Sequence, residues 1–316
     1  MAKVLITDGV HPSIIREIEH MGYEVTYKPK MAYDQLPSII HDYEGIIINS
    51  KIIMNRQMID LAKKLHFIGR LGSGLDIIDL NYAKEKEIAV LSAPEGNCNA
   101  VGEHALGMLL SLTNSLNRAD SEVRELKWNR EKNRGFELEG KKIGIIGYGH
   151  TGPSFAEKLQ GFRCKIYVYD KYRTQFSDAK RSIIETSLED IQEKCDIISI
   201  HLPLTEETRY FVNADFIEKC KKKPILINTS RGKIVRIKDL LKALKNRKIS
   251  GACLDVFENE PNVPEALRKM ENVTLLPHIG SATIEVRTAM GMLAADNLDA
   301  FFAGHALPHP VVQPKR

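Results

Sequence analysis

Short apolar runs alternate with amphipathic stretches along the whole of this 316-residue chain, the pattern of parallel β-sheets covered by helices. In the first hundred residues the strand candidates are 3–8, 23–27, 45–49, 66–70 and 88–91, with helices over 12–21 and 55–64. A polar loop, Ser92 to Asn97, then leads into a long helical pattern that Asn99 would cap and that runs to about Leu126. A second unit begins after Gly140, with strands over 142–147, 164–169, 196–201, 224–229, 250–256 and 273–277. Ile284 to Phe302 reads as one amphipathic helix ended by Gly304. Too short to be a domain, it is expected to pack back on the first unit and make that unit discontinuous. The expected fold is α/β with two doubly wound parallel-sheet domains, one over 1–98 and 285–316 and the other over 99–284.

Several function classes are excluded by composition and charge. The formal net charge is +4, and basic runs such as Lys221-Lys222-Lys223 carry no interleaved aromatic residues, so no nucleic-acid partner is expected. No apolar stretch approaches the ~20 residues that cross a bilayer, and the chain opens on strand-like sequence rather than a signal peptide. Five cysteines without a C-x-x-C pair suggest reduced thiols in a cytoplasmic protein, with no metal site. Cys253 reads as a small core residue.

The apolar run Ile143-Gly144-Ile145-Ile146 leads into Gly147-Tyr148-Gly149-His150-Thr151-Gly152. A lone G-x-G-x-x-G is a weak signal, but here it follows a strand and opens a helix expected over 154–161. Gly147 would make the tight turn, Gly149 would admit a pyrophosphate, and Gly152 would let helix and strand pack closely. The helix N-terminus would supply unpaired N–H groups to the phosphates. The next strand ends in Asp170, 18 residues past Gly152. A carboxylate there accepts hydrogen bonds from a ribose diol and repels a 2′-phosphate, so NAD is the expected cofactor.

Three later residues suit the reduction of a 2-keto acid. Arg231, in Thr229-Ser230-Arg231-Gly232, follows an apolar strand and carries the planar fork that grips a carboxylate. His278 follows another strand end and suits proton transfer near neutrality. Glu258 and Glu260 both lie where a carboxylate could orient that histidine and raise its pKa, and the residues alone leave the choice open. His11, His20, His41, His66, His305 and His309 read as ordinary structural or surface residues.

Together these residues resemble the D-isomer-specific 2-hydroxyacid dehydrogenase family. The resemblance covers nearly the whole chain, including Val101 to Leu106, Ile200 to Thr205 and Pro277 to Thr283. It implies a Rossmann-type NAD domain inserted in a flavodoxin-like substrate domain, working as a homodimer on a small-molecule 2-hydroxy or 2-keto acid. It assigns catalysis to Arg231, Glu260 and His278, choosing Glu260 over Glu258. Cofactor contacts are implied for His150, Thr151, Asp170, Leu202 and Gly280, and for Thr229, Ser230 and Asp255. The loop Arg70-Leu71-Gly72-Ser73-Gly74 resembles the family's substrate loop, whose N–H groups bind the acid's carboxylate. One departure is His150-Thr151, where such enzymes usually carry Arg-Ile.

The substrate signals are mixed. Leu126-Lys127-Trp128-Asn129-Arg130 and Ile68-Gly69-Arg70 resemble D-3-phosphoglycerate dehydrogenases, whereas Pro277 to Asn297 resembles glyoxylate/hydroxypyruvate reductases. Phosphoglycerate enzymes carry an arginine before the serine of an R-S-x-T segment; here Asn49 precedes Ser50, with Lys51 next. Arg70, Lys51 and Arg130, the last from this chain or from a second subunit, are the cations that could compensate. The favoured substrate is D-3-phosphoglycerate/3-phosphohydroxypyruvate, with glyoxylate or hydroxypyruvate as the alternative. No carboxy-terminal regulatory extension is seen, so serine feedback through one is not expected. The family also includes NADH-sensing transcriptional corepressors, a remote alternative given that Arg231, Glu260 and His278 are all intact.

Overall fold

The structure is a computed structural model that describes residues 1–305 and 310–312; His309 lies outside the described residues. Its first segment runs β1 (Lys3–Ile6), α1 (Pro12–His20), β2 (Glu24–Tyr27), β3 (Gly45–Ile48), α2 (Arg56–Leu61), β4 (Phe67–Arg70), α3 (Leu80–Glu85) and β5 (Ala89–Ser92). There follow α4 (Cys98–Thr113), α5 (Leu116–Arg124), β6 (Lys142–Ile146), α6 (Thr151–Lys158), β7 (Lys165–Tyr169), β8 (Ile183–Glu185), α7 (Leu188–Lys194) and β9 (Ile197–Ile200). The chain continues through α8 (Ala214–Lys219), β10 (Ile225–Asn228), α9 (Ile237–Lys245), β11 (Gly251–Leu254), α10 (Glu265–Arg268) and β12 (Val273–Leu275). It closes with α11 (Ile284–Phe302) and β13 (Pro310–Val312).

These elements form two compact units, one of Met1–Asn97 with the chain from Ala282 onward, the other of Cys98–Ser281. The first holds a six-stranded sheet in the order β13-β5-β4-β3-β1-β2. Strands β1 to β5 are parallel, and β13 adds an antiparallel edge on β5. Its central strands are almost wholly apolar because helices cover both faces; all four residues of β3 are buried. Helix α11 packs on α1, β4 and β5.

The second unit is a seven-stranded sheet, all parallel, in the order β12-β11-β10-β9-β6-β7-β8. Side chains alternate between two cores as the strand period of two requires. In β10, Ile225 and Ile227 join Ile143, Ile145 and Cys253 on one face, while Leu226 joins Ile146 and Ile200 on the other. The strand order reverses between β6 and β9, the switch point outside which ligands bind in doubly wound sheets.

The structure corrects the sequence reading locally. The helix expected to run unbroken from Asn99 to about Leu126 is two helices, broken where Ser115 takes φ 54°. The chain folds back at the break, and Phe136 N donates to the carbonyl of Thr113 at 3.2 Å. Asn99 is no N-cap: α4 begins at Cys98, and the Asn99 amide donates to Glu103 at 2.9 Å. Helix α6 starts at Thr151, three residues earlier than expected.

Candidate active site

Because the second unit's strands are parallel, the residues that follow them gather at one edge. Gly147 follows β6, Asp170 β7, His201 β9, Thr229 to Arg231 β10, Asp255 β11 and His278 β12. Gly147 has φ 93°, a left-handed conformation that favours glycine. A side chain on Gly152 would strike the Gly147 carbonyl, whereas the same position on Gly149 meets open space. The turn is therefore closed where helix meets strand and open at its middle glycine.

Asp170 organises this turn. One carboxylate oxygen accepts from Tyr148 N at 2.7 Å, and the other accepts from Tyr172 N at 2.9 Å and Arg173 N at 3.1 Å. The Arg173 guanidinium bends back to donate to the Tyr148 carbonyl at 2.8 Å. His150 is exposed at the N-cap of α6, and Leu202 lies beside Gly147.

After β10, the Asn228 amide folds the loop that carries Arg231. It accepts from Ser230 N and donates to the Arg231 carbonyl, each at 3.0 Å. The Ser230 hydroxyl donates to the Ile200 carbonyl at 2.8 Å. Among the described residues the buried Thr229 Oγ1 has no hydrogen-bond partner.

His278 and Glu260 form a pair, with Nδ1 2.8 Å from Oε2. The other Glu260 oxygen accepts from Phe257 N at 3.0 Å. Glu258 turns elsewhere and accepts from Ile237 N at the start of α9. His278 has φ 56°, a strained backbone for a side-chain-bearing residue, of the kind that persists where surrounding bonds hold it. Here Asp255 does the holding: its carbonyl accepts from His278 N at 2.8 Å, and its carboxylate accepts from Ile279 N at 2.9 Å and Gly280 N at 2.8 Å.

Electrostatics follow from these bonds. The hydrogen bond to Glu260 raises the pKa of His278 against the opposing effects of burial and of the Arg231 charge. Burial works to raise Glu260, but the bonds from His278 and Phe257 N and the nearby positive charges bring it below the ordinary carboxylate value. Asp255 is likewise lowered despite its burial, by the His104 contact and the two backbone N–H groups. His104 was missed in the sequence. Its Nε2 sits 3.3 Å from Asp255 Oδ1, within ion-pair reach but not aligned as a hydrogen bond.

The remaining candidates, Ser50, Arg70, Ser73 and Gly74, lie in the first unit at the ends of β3 and β4. Arg70 is only 8% exposed. Its guanidinium donates to the carbonyls of Gly74, at 3.1 Å, and Leu71, and to Asn49 Oδ1, at 2.9 Å. Lys51 donates to the Pro29 carbonyl at 2.7 Å and lies 3.7 Å from Asp8. Among the described residues the N–H groups of Ser73 and Gly74 donate no hydrogen bond. Also among the described residues, no group of side chains could hold a metal ion and no helix is long and apolar enough to cross a membrane.

The family model for the D-isomer specific 2-hydroxyacid dehydrogenase NAD binding domain matches residues 106–280, more than half of the chain. The chain belongs to the D-isomer specific 2-hydroxyacid dehydrogenase family. Among its relatives, a D-3-phosphoglycerate dehydrogenase of Methanocaldococcus jannaschii is 33% identical over 99% of this chain and 60% of its own length. This family member thus spans about three-fifths of the length of that relative. A glyoxylate reductase of Pyrococcus furiosus is 34% identical over 97% of this chain and 94% of its own. Among solved structures, an NADPH-dependent glyoxylate/hydroxypyruvate reductase from Sinorhizobium meliloti, in complex with NADP and malonate, superposes with a TM-score of 0.86. It is 30% identical and covers all of this chain and 99% of that one.

Proposed function

We propose that this chain is an NAD-dependent D-2-hydroxyacid dehydrogenase. The observation that carries the reading is the His278–Glu260 pair, placed at the same sheet edge as Arg231 and the glycine turn. The nicotinamide cofactor, when bound, supplies or accepts the hydride. Its fit is supported by the open position at Gly149, the closed one at Gly152 and the Thr229 hydroxyl, which has no partner among the described residues. In this reading His150, Thr151, Gly152, Leu202, Ser230, Asp255 and Gly280 also contact the cofactor. Asp170 would take the ribose diol and favour NAD over NADP.

The protein's own groups then divide the work. Arg231 holds the substrate carboxylate with its planar fork. His278 keeps Nδ1 on Glu260, which fixes the tautomer and leaves Nε2 to protonate the carbonyl oxygen during reduction or accept the hydroxyl proton during oxidation. The N–H groups of Ser73 and Gly74, with Ser50, are proposed as further substrate donors.

Between the two candidate substrates, the first unit favours the unphosphorylated acids, glyoxylate or hydroxypyruvate. Phosphate binding calls for two or more cations. Arg70 is committed to its own loop and to Asn49, and Lys51 to Pro29 and Asp8, which weakens the phosphoglycerate reading of the sequence. We further propose a homodimer, supported by the solvent-facing Leu126 and Trp128, 96% and 79% exposed. A steady-state comparison of glyoxylate, hydroxypyruvate and phosphohydroxypyruvate as NADH oxidants tests the substrate; a clear preference for phosphohydroxypyruvate would reverse the ranking.

A further inference from the structure

Beneath the glycine turn lies a histidine that the proposed reaction does not use. His201 follows β9 and is 8% exposed, with Nε2 2.8 Å from Ser199 Oγ and Nδ1 3.0 Å from Thr151 Oγ1. Its ring packs on Phe155 with centroids 5.6 Å apart. Burial pushes its pKa down to about 4, so the imidazole is neutral and has one N–H and one lone pair.

The two hydroxyls decide which nitrogen carries the proton. Ser199 is fully buried, and among the described residues His201 is its hydroxyl's sole partner. A buried hydroxyl proton without an acceptor is destabilising. Every donor is satisfied when Ser199 O–H donates to Nε2 and Nδ1–H donates to Thr151 Oγ1. The Thr151 oxygen is then held from behind and keeps its own proton to give away. Thr151 is the first residue of α6, where the helix presents its unpaired N–H groups.

We propose that His201 is a positioning residue for the dinucleotide, orienting the Thr151 hydroxyl as a donor to an anionic phosphate oxygen. The inference rests on the dinucleotide reading of the turn and extends it to a neutral relay, Ser199 to His201 to Thr151. His201 touches neither substrate nor reacting atoms in this scheme, so its removal shows in cofactor affinity rather than in turnover.

The test is fluorescence titration with NADH, paired with kcat at saturating NADH. Thr151→Val and His201→Gln, which places its amide near Nε2 and leaves Thr151 unsupported, should each weaken NADH binding about 5- to 30-fold, the range for one lost buried hydrogen bond. The His201→Gln enzyme should keep kcat within about twofold, and Thr151→Ser, which retains the hydroxyl, should restore affinity. The double variant Thr151→Val/His201→Gln should be no weaker than the worse single one, because both remove the same bond. Folded Thr151→Val and His201→Gln proteins that bind NADH as tightly as the unaltered chain would overturn the relay and leave the dinucleotide reading standing. An unaltered protein that binds neither NADH nor NADPH would overturn both.

Discussion

Glu260 Oε2 lies 2.8 Å from His278 Nδ1, while Glu258, two residues earlier, caps the first turn of α9 through Ile237 N. Two carboxylates almost adjacent in sequence therefore serve different elements. Only one of them acts on the titration of the histidine.

A pH dependence follows from that bond. His278 is raised, so its protonated form persists above the ordinary histidine value of about 6.5. On the proposed mechanism keto-acid reduction consumes that proton, so its rate should hold at low pH and fall as pH rises through the raised value, and hydroxy-acid oxidation should do the reverse. Glu260→Gln should move the break down toward about 6.5 in a kcat/KM profile. An unmoved break would separate Glu260 from the titration. The pair's contribution to stability has matching signs. It is fully present between about 4.3 and 6.5, and is lost as pH falls through Glu260's lowered value or rises through His278's raised one. Solvent screens this partly exposed pair, so the stability effect should be small.

Replacing His278 by Gln would remove the proposed proton donor and leave the glycine turn untouched. Turnover should fall by about 10²–10⁴, the usual worth of a general acid, with NADH affinity largely retained. Stopped-flow NADH oxidation with a separate binding titration distinguishes the two quantities. Retained turnover with lost binding would contradict the role.

Asp170→Ala should narrow the preference for NAD over NADP. In the proposed function the carboxylate repels a 2′-phosphate, and its loss also leaves Tyr148 N and the Arg173 backbone without their acceptor. The ratio of kcat/KM values for the two cofactors is the readout. An unchanged ratio would remove Asp170 from the ribose site.

Gly232→Ala should damage both fold and activity. A side chain there would fall on the Phe257 carbonyl, because the Arg231 loop lies directly against the stretch leading to Glu260. Overpacking of this kind costs about 1–3 kcal/mol, measurable by denaturant unfolding. A fully stable and active variant would mean that the two loops are less tightly apposed.

The parts of the fold that the sequence disclosed are those where apolar runs decide. The parallel strands β1 and β3 to β5, and β6 and β9 to β11, stand out because both faces of each sheet are covered, and the partly buried β7 and β12 are still apolar enough to be read. The three-residue edge strand β8, in which only Ile183 is buried, carries no such signal, and neither does the antiparallel β13. The break between α4 and α5 was hidden because Asn114-Ser115 interrupts the pattern without glycine or proline. At the candidate site, strand-end position pointed to Arg231 and His278, while Asp255 came only with the family resemblance. The roles of Glu258, His104 and Arg70 depend on which neighbours the fold brings to them. His201 also follows a strand and was legible by that criterion, but its significance lies in two hydroxyls, Ser199 and Thr151, that only the structure brings against its ring.

The central claim is tested most directly by mixing the purified protein with NADH and each of glyoxylate, hydroxypyruvate and phosphohydroxypyruvate, and following absorbance at the nicotinamide band. The proposed function predicts NADH oxidation with at least one of these acids and a D-configured product wherever the product is chiral. NADH that binds but is oxidised with none of them would contradict the enzyme and return the chain to the class of dinucleotide-sensing proteins.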